Sequence, residues 1–242
     1  MSSTGQIADD GRINIEPIAH IRTAFPTKFG IPRQSGLVSE LEGEIVFEPK
    51  YRDPDALRGI ESFSHLWLIW GFSENEPENE REGFRALVRP PRLGGNEKRG
   101  VFATRSPFRP NNLGLSVVEL ACVEKTKNRG SVLKVRGADL MDGTPIYDVK
   151  PYLAYADAVA QAQGGFAEDP DAGMLEVVMS DEQREALGEK AEELAHVLAR
   201  DPRPAYHDDP ERVYCLEYGE WDVRFEVTGG TLAVVSIDER LA

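Results

Sequence analysis

The residues of this chain best suited to chemistry lie in four short polar segments. These are Pro32-Arg33-Gln34, Ser64-His65, the stretch Val101 to Ser116 (V-F-A-T-R-S-P-F-R-P-N-N-L-G-L-S), and Asp142-Gly143-Thr144-Pro145. Their residue types bind rather than react. In the longest, two prolines stand beside Arg105 and Arg109; proline fixes φ and removes a donor, so the loop presents its guanidinium groups in set directions. Each of the other three has a plain structural alternative. Arg33 reads as a surface residue, His65 as a hydrogen-bonded core histidine beside Trp67 and Trp70, and Asp142-Gly143 as an ordinary turn. The sequence holds no G-x-G-x-x-G after a strand, no G-x-x-x-x-G-K-[ST] phosphate loop and no G-x-S-x-G nucleophile turn. His20, His65, His196 and His207 form no metal spacing with Cys122 or Cys215, so no metal centre is expected.

The elements that must position these segments are mostly strands. Ile13 to Ile21 alternates apolar and polar residues around Pro17, as an edge strand does. Phe25 to Gly36 is a Pro/Gly-dense loop, Glu42 to Pro49 a short strand, and Asp53-Pro54 a helical start. Ser64 to Phe72 is the most apolar stretch and reads as a central strand. After a charged loop at 74–82, strands are expected at Arg85 to Pro90 and Gly100 to Thr104, the latter with Val101 and Ala103 on one face. Ser116 to Lys125 and Val132 to Ala138 form a hairpin through K-N-R-G, and the D-G-T-P loop leads into a further strand. Beyond a polar linker at about 161–175, Ser180 to Gln183 starts a helix running to about Arg200, with Leu187, Leu194, Val197 and Leu198 on one face. Three strands follow: Val213 to Tyr218, Trp221 to Thr228 and Leu232 to Ile237. The expected architecture is therefore mainly β. A β-rich N-terminal domain spans 12–160 and a small α+β C-terminal domain spans 161–242. With strands and helices not alternating, a doubly wound parallel sheet is excluded.

Composition narrows the class further. The 242 residues are 40% hydrophobic and 29% charged, as in a soluble globular protein, and no apolar run approaches the roughly 20 residues of a membrane span. Met1 to Gly11 is small and polar, without the features of a signal peptide, so a cytoplasmic location and two reduced thiols, in the core or half-buried, are expected. The net charge of −14 is unevenly spread. Between Arg81 and Arg136 thirteen basic residues face four acidic ones, a local excess of nine positive charges that leaves −23 for the rest. A basic block in an acidic chain suits a phosphate-backbone partner, although a solvated, salt-bridged face would have the same composition.

Taken in order and spacing, the segments resemble the TsaA/TrmO family of S-adenosylmethionine-dependent tRNA methyltransferases, which have a β-barrel fold. The matching strings are I-P-R-Q-S-G, F-S-H-L-W, G-V-F-A-T-R-S-P-F-R-P-N, L-G-L-S and D-L-M-D-G-T-P-I-Y-D-V-K-P-Y, covering most of residues 15–155. D-P-R-P-A-Y at Asp201 to Tyr206, with Tyr218-Gly219 and Asp222-Val223, resembles the C-terminal domain of bacterial members. The family commonly has proline where this chain has Asn112, a departure that implies a slightly looser loop. The resemblance implies methyl transfer from S-adenosylmethionine to N6 of N6-threonylcarbamoyladenosine next to the anticodon, by a homodimer whose pocket is completed across subunits. Carried over residue by residue, cofactor contacts fall on Pro32, Arg33, Gln34, Ser64 or His65, Leu66, Arg105, Leu115 and the Asp142, Gly143, Thr144, Pro145 turn. Arg109 and the flanking Lys98 and Arg99 would face RNA, and Asp142 or Asp148 could accept the proton shed by the amine. No metal or membrane is implied. The alternative is a module that binds S-adenosylmethionine or RNA without turnover.

Overall fold

In a computed structural model of the chain, the structure describes residues 11–73, 84–93, 96–167, 173–204 and 209–240. The charged loop at 74–82, Arg81, parts of the 161–175 linker and of the turn before Lys98, Ala205-Tyr206 and His207 lie outside the described residues. In chain order the elements are β1 (Ala19–Arg22), β2 (Glu42–Phe47), β3 (His65–Gly71), β4 (Leu87–Val88), β5 (Arg99–Gly100), β6 (Leu113–Thr126), β7 (Gly130–Arg136), β8 (Pro145–Pro151), α1 (Ala154–Asp157), β9 (Glu176–Val178), α2 (Asp181–Leu187), α3 (Lys190–Ala199), β10 (Tyr214–Tyr218), β11 (Trp221–Thr228) and β12 (Thr231–Glu239). Short 3-10 turns join several of them, including Pro54–Leu57, where the Asp53 side chain accepts from the Asp55 N–H as its N-cap.

Six strands form a closed barrel in the order β1-β2-β7-β6-β3-β8, with β8 pairing back onto β1. Side chains alternate along a strand, and β3 makes the consequence plain: Leu66, Leu68 and Trp70 point into the barrel while His65, Trp67 and Ile69 point out. Ile21, Ile45, Val118, Leu133, Val135 and Ile146 complete that interior. Fully burying side chains of this size stabilises the fold by about 1.5–3 kcal/mol each. Long β6 serves two neighbours, pairing with β3 through Leu113 to Glu119 and with β7 through Glu119 to Thr126.

The second core is built on the four-stranded sheet β10-β11-β12-β9, covered by α2 and α3. Leu187, Leu194, Val197 and Leu198 are buried there, as their helical spacing requires. So, however, are Phe25, Val38 and Leu41, which belong to the loop after β1. The Gly219 N–H donates to the Ala24 carbonyl at 2.7 Å, and Arg200 Nη2 to the Leu37 carbonyl at 2.9 Å. Segment 23–41 thus leaves the barrel, is buried in the second core, and returns.

Several sequence expectations need correction. The first strand begins only at Ala19, after Pro17, and Arg85 to Pro90 contributes just the two residues of β4. Val101–Ala103 is a 3-10 turn rather than a strand: Val101 is buried while Phe102 is 69% exposed. The helix expected from Ser180 to about Arg200 has the anticipated capping box of Ser180 and Gln183, but it breaks into α2 and α3 at Gly188. Gly188 adopts φ 54° and ψ −127°, a conformation open to glycine and closed to L-residues. Short β9, which the sequence reading missed, extends the second sheet by pairing parallel with β12. Cys122 and Cys215 are exposed rather than in the core or half-buried.

Gly30 makes the docking of the 23–41 loop possible. Its φ is +87°, and a Cβ there would stand 2.3 Å from Cδ1 of the fully buried Leu216. A Gly30→Ala chain is expected to lose about 1–3 kcal/mol to overpacking. Calorimetric melting checks this: the unfolding midpoint should fall, and an unchanged midpoint would mean that Leu216 can move aside.

Candidate functional site

Segment 23–41 returns to the barrel alongside β6, in the space beyond the end of β7. The Gly36 N–H donates to the Gly137 carbonyl at 2.9 Å, and the Ser35 hydroxyl accepts from the Val117 N–H at 3.3 Å. This brings two of the four sequence segments together: an Arg105 Nη1 donates to Gln34 Oε1, while the Gln34 amide nitrogen donates back to the Arg33 carbonyl. Pro32 is buried, Arg33 and Arg105 are exposed, and Gln34 is half-buried between them.

Under this contact runs a polar chain to whose members sequence reasoning gave no role in the site. Trp70 Nε1 donates to Ser116 Oγ at 3.0 Å, and Ser116 Oγ donates to Asp139 Oδ1 at 2.6 Å. Ser116 is buried, and burial pushes the Asp139 carboxyl above the usual aspartate range. The Ser116 hydroxyl, its own and the Ser35 backbone N–H groups, and the charge of Arg105 oppose that rise. Asp139 therefore ties β6, the Gln34 loop and the loop before β8 to one point. Asp139 stands in the quoted D-L-M-D-G-T-P string, three residues before the more conspicuous Asp142; its spacing from Ser116 is not local and could be read only from the fold.

The D-G-T-P turn sits where β1 ends and β8 begins. Asp142 accepts from the Thr23 N–H at 3.0 Å and from Arg22 Nη1 at 3.1 Å, while the Thr144 hydroxyl donates to the Met141 carbonyl at 2.8 Å. Asp142 is thus engaged in fastening its own turn. Asp148 is exposed on β8 and accepts only from the adjacent Val149 N–H among the described contacts. Across the outer face of the barrel it shares a row with Ile69 and Leu115: Ile69 pairs with Asp148 on one side and with Leu115 on the other. Leu115 is 56% exposed there.

Ser64 and His65 lie at the other end of β3. The Ser64 hydroxyl and His65 Nδ1 are 2.9 Å apart, and the His65 ring meets Tyr152 edge-on. In the ladder Pro151 pairs with Leu66, whereas Ile146, next to the D-G-T-P turn, pairs with Trp70. Five residues at about 3.3 Å each separate the two ends by about 17 Å. Within one chain the structure does not bring His65 to the D-G-T-P turn. Leu66 is wholly enclosed in the barrel, so its side chain is out of reach of any ligand.

The arginine loop divides its tasks. Arg109 Nη1 donates to the Thr104 carbonyl at 2.8 Å, and its guanidinium lies 5.9 Å from the Phe102 ring, so it braces the loop from within. Arg99 pairs with Glu97 at 2.6 Å, and Lys98 is exposed. Asn112 stands at φ 48°, a left-handed conformation that asparagine tolerates and proline cannot adopt. Its N–H donates to the Arg109 carbonyl at 3.1 Å, and its carbonyl accepts from the Phe72 N–H at 3.0 Å. In the orientation that satisfies its amide, the side chain also donates to the Pro107 and Arg109 carbonyls. Asn112 closes this loop rather than loosening it.

Comparison with known proteins covers both units. A family model described as the tRNA-methyltransferase O N-terminal domain matches residues 20–158, and one described as the TrmO C-terminal domain matches residues 173–240. The chain is 40% identical over 234 residues to a tRNA (adenine(37)-N6)-methyltransferase of Escherichia coli, covering 93% of this chain and 97% of that protein. It is 41% identical over 221 residues to a putative S-adenosylmethionine-dependent methyltransferase of Pseudomonas aeruginosa, covering 88% and 91%. The crystal structure of TrmO from Pseudomonas aeruginosa superposes with a TM-score of 0.75 at 34% identity, covering 94% of this chain and 98% of that one.

The pH dependence of Asp139 gives a direct check on the polar chain. Its folded pKa is raised, so the folded state holds this proton to higher pH than the unfolded state does. Stability attributable to it is present below the ordinary aspartate pKa, about 3.9, and is lost as pH rises through the raised value. Asp139→Asn keeps an acceptor for Ser116 without that loss, so its melting midpoint should gain on the wild type as pH rises. A difference between the two midpoints that does not change with pH would place the carboxyl in water instead.

Proposed function

The chain belongs to the tRNA-methyltransferase O family, and from that premise we propose that its substrate is the threonylcarbamoylated adenosine next to the anticodon, methylated at N6 by a cytoplasmic homodimer. It is an S-adenosylmethionine-dependent tRNA (adenine-N6) methyltransferase. The observation that carries the site reading is the Arg105–Gln34 bond, which joins two segments 71 residues apart.

S-adenosylmethionine supplies a methyl group already activated on a sulfonium. The chain's residues have then to hold the donor and the adenine amine in line, and positioning of this kind lowers a barrier by up to roughly 7–11 kcal/mol. Arg105 is exposed and oriented by Gln34, which suits the carboxylate of the methionyl moiety. Arg33 contributes to the pocket through its backbone beside Pro32. Leu115 offers an apolar surface for the adenine ring, and the backbone of Asp142 to Pro145 its polar edge. Of the two carboxylates, Asp142 holds Arg22 and Thr23, which leaves Asp148, in the Leu115–Ile69 row, as the acceptor of the amine proton.

The separation along β3 supports the dimer. A ligand touching both His65 and the Asp142 to Pro145 turn would need those ends supplied by two copies, with Ser64-His65 of one facing the turn of the other. Exposed Tyr155 (89%) and Val159 (69%), shortly after β8, offer apolar surface near that end. Lys98 and Arg99 on the flank of the arginine loop would meet the RNA backbone.

The test is transfer of isotope-labelled methyl from S-adenosylmethionine to tRNA, followed by nucleoside mass spectrometry. Label is expected on tRNA carrying threonylcarbamoyladenosine and not on tRNA lacking it. Tight cofactor binding with no label on either would make the chain a binding module. Arg105→Ala removes a charge-assisted contact of about 1.5–3 kcal/mol, so cofactor affinity by calorimetry should fall roughly 10- to 150-fold. Unaltered affinity would take Arg105 out of the pocket.

A further inference from the structure

Arg33, the residue before the Gln34 that holds Arg105, lines a cavity of about 440 Å³. Its walls come from three distant segments: Lys28 to Arg33, Arg89 with Pro91, and Pro202 to Pro204 of the second unit. Four basic side chains line it, Lys28, Arg33, Arg89 and Arg203, and among the described residues no carboxylate does. In a chain of net charge −14 this is a concentrated reversal of sign. Arg203 is fixed by Asp201, its Nε and Nη2 donating to the carboxylate at 2.9 and 3.0 Å, and Asp201 lines the neighbouring hollow rather than this one. Arg33 and Arg89 are both exposed.

We propose that this cavity seats backbone phosphates of the tRNA, with the C-terminal unit supplying one wall. The proposal rests on the reading of tRNA as substrate. Its chemistry sets the cavity apart from the cofactor pocket. S-adenosylmethionine carries a sulfonium and an ammonium against one carboxylate, and a cavity lined by the Arg33 and Arg89 guanidinium groups beside Lys28 and the Asp201-bound Arg203 does not favour that excess of positive charge. Phosphodiesters carry one negative charge each, and guanidinium forks match their oxygens in pairs. The apolar remainder of the wall, Phe29, Ile31 and the prolines, holds the arginines in place without competing for their donors. The placement also links the two substrates mechanically. Arg33 faces the cavity, while the next residue, Gln34, holds Arg105, so a phosphate drawn to Arg33 acts on the same stretch of backbone that presents the cofactor contact.

The test uses the full chain and compares wild type, Arg89→Ala, the Arg89→Ala/Lys28→Ala pair and Arg89→Lys. Binding to tRNA is titrated at several salt concentrations, and cofactor affinity is measured by calorimetry on each. A lost phosphate contact lowers the slope of log affinity against log salt by about 0.7–1. The slope should therefore fall by about that much for Arg89→Ala and further for the pair, and Arg89→Lys should restore it. Cofactor affinity should be unchanged throughout. Equal salt slopes for wild type and the pair would overturn the proposal, and a loss of cofactor affinity in Arg89→Ala would return the cavity to the cofactor. In a separate arm, inorganic phosphate and adenosine monophosphate are titrated alone. Tight binding of either that depends on Arg89, with no change in the tRNA slope, would assign the cavity to a free anion instead of RNA. Methyl transfer by the wild type is measured alongside: its absence with altered slopes intact would count against the enzymatic reading and leave the phosphate seat standing.

Discussion

Burial of Phe25, Val38 and Leu41 in a core that is not the barrel's own is the constraint on which the site depends. A loop as rich in proline and glycine as 25–36 has few side chains with which to hold itself. The backbone entropy of fixing it is about 1–2 kcal/mol per residue, and nothing within the loop offsets that. The second unit does, through the apolar contacts of α3 and β10 and through the backbone bond from Gly219 to Ala24. The loop can then deliver Gln34 and Ser35 to the flank of β6. The C-terminal unit is accordingly part of the scaffold that holds the Gln34 loop.

Electrostatics divides the work of the pocket region. Lys28, Arg33, Arg89 and Arg203 line one cavity, and Gln34, the residue after Arg33, holds the Arg105 guanidinium. A cationic donor and an anionic polymer have opposite electrostatic requirements, which we assign to adjacent residues of one loop. Asp139 lies near Arg105 and the Ser35 backbone, its carboxyl kept from water and linked through Ser116 to Trp70. Arg109, Asn112 and the two prolines make the arginine loop rigid, so the two surfaces keep a fixed relation to each other.

How much of this was legible in the sequence follows from the range of the interactions. The apolar run Ser64 to Phe72, the short strand at Glu42 to Pro49, the K-N-R-G hairpin and the Ser180 capping box are local patterns, and each led to the right element. Val101 to Thr104 misled because its alternation is real but its backbone is turned by the Arg109 brace, a contact five to eight residues away. The helix expected from Ser180 to about Arg200 ran through Gly188, where the structure breaks it at φ 54° and ψ −127°. Arg105 and Gln34 could be named from their residue types and from the family resemblance, but their contact could not, because it spans 71 residues. Asp139 and the cationic cavity were invisible for the same reason: each is assembled from segments whose proximity only the closed barrel and the docked second unit create.

The claim that the second core holds the cofactor loop is tested most directly by native-state hydrogen exchange on the full chain and on Leu194→Ala, which weakens α3 within that core. The account predicts that the Gly36 and Leu41 amides, both hydrogen-bonded in the wild type, lose protection together with α3 in the variant, while the amides of Leu66, Leu68 and Trp70 in β3 keep theirs. Loop amides that stay as protected as in the wild type while α3 opens would contradict it.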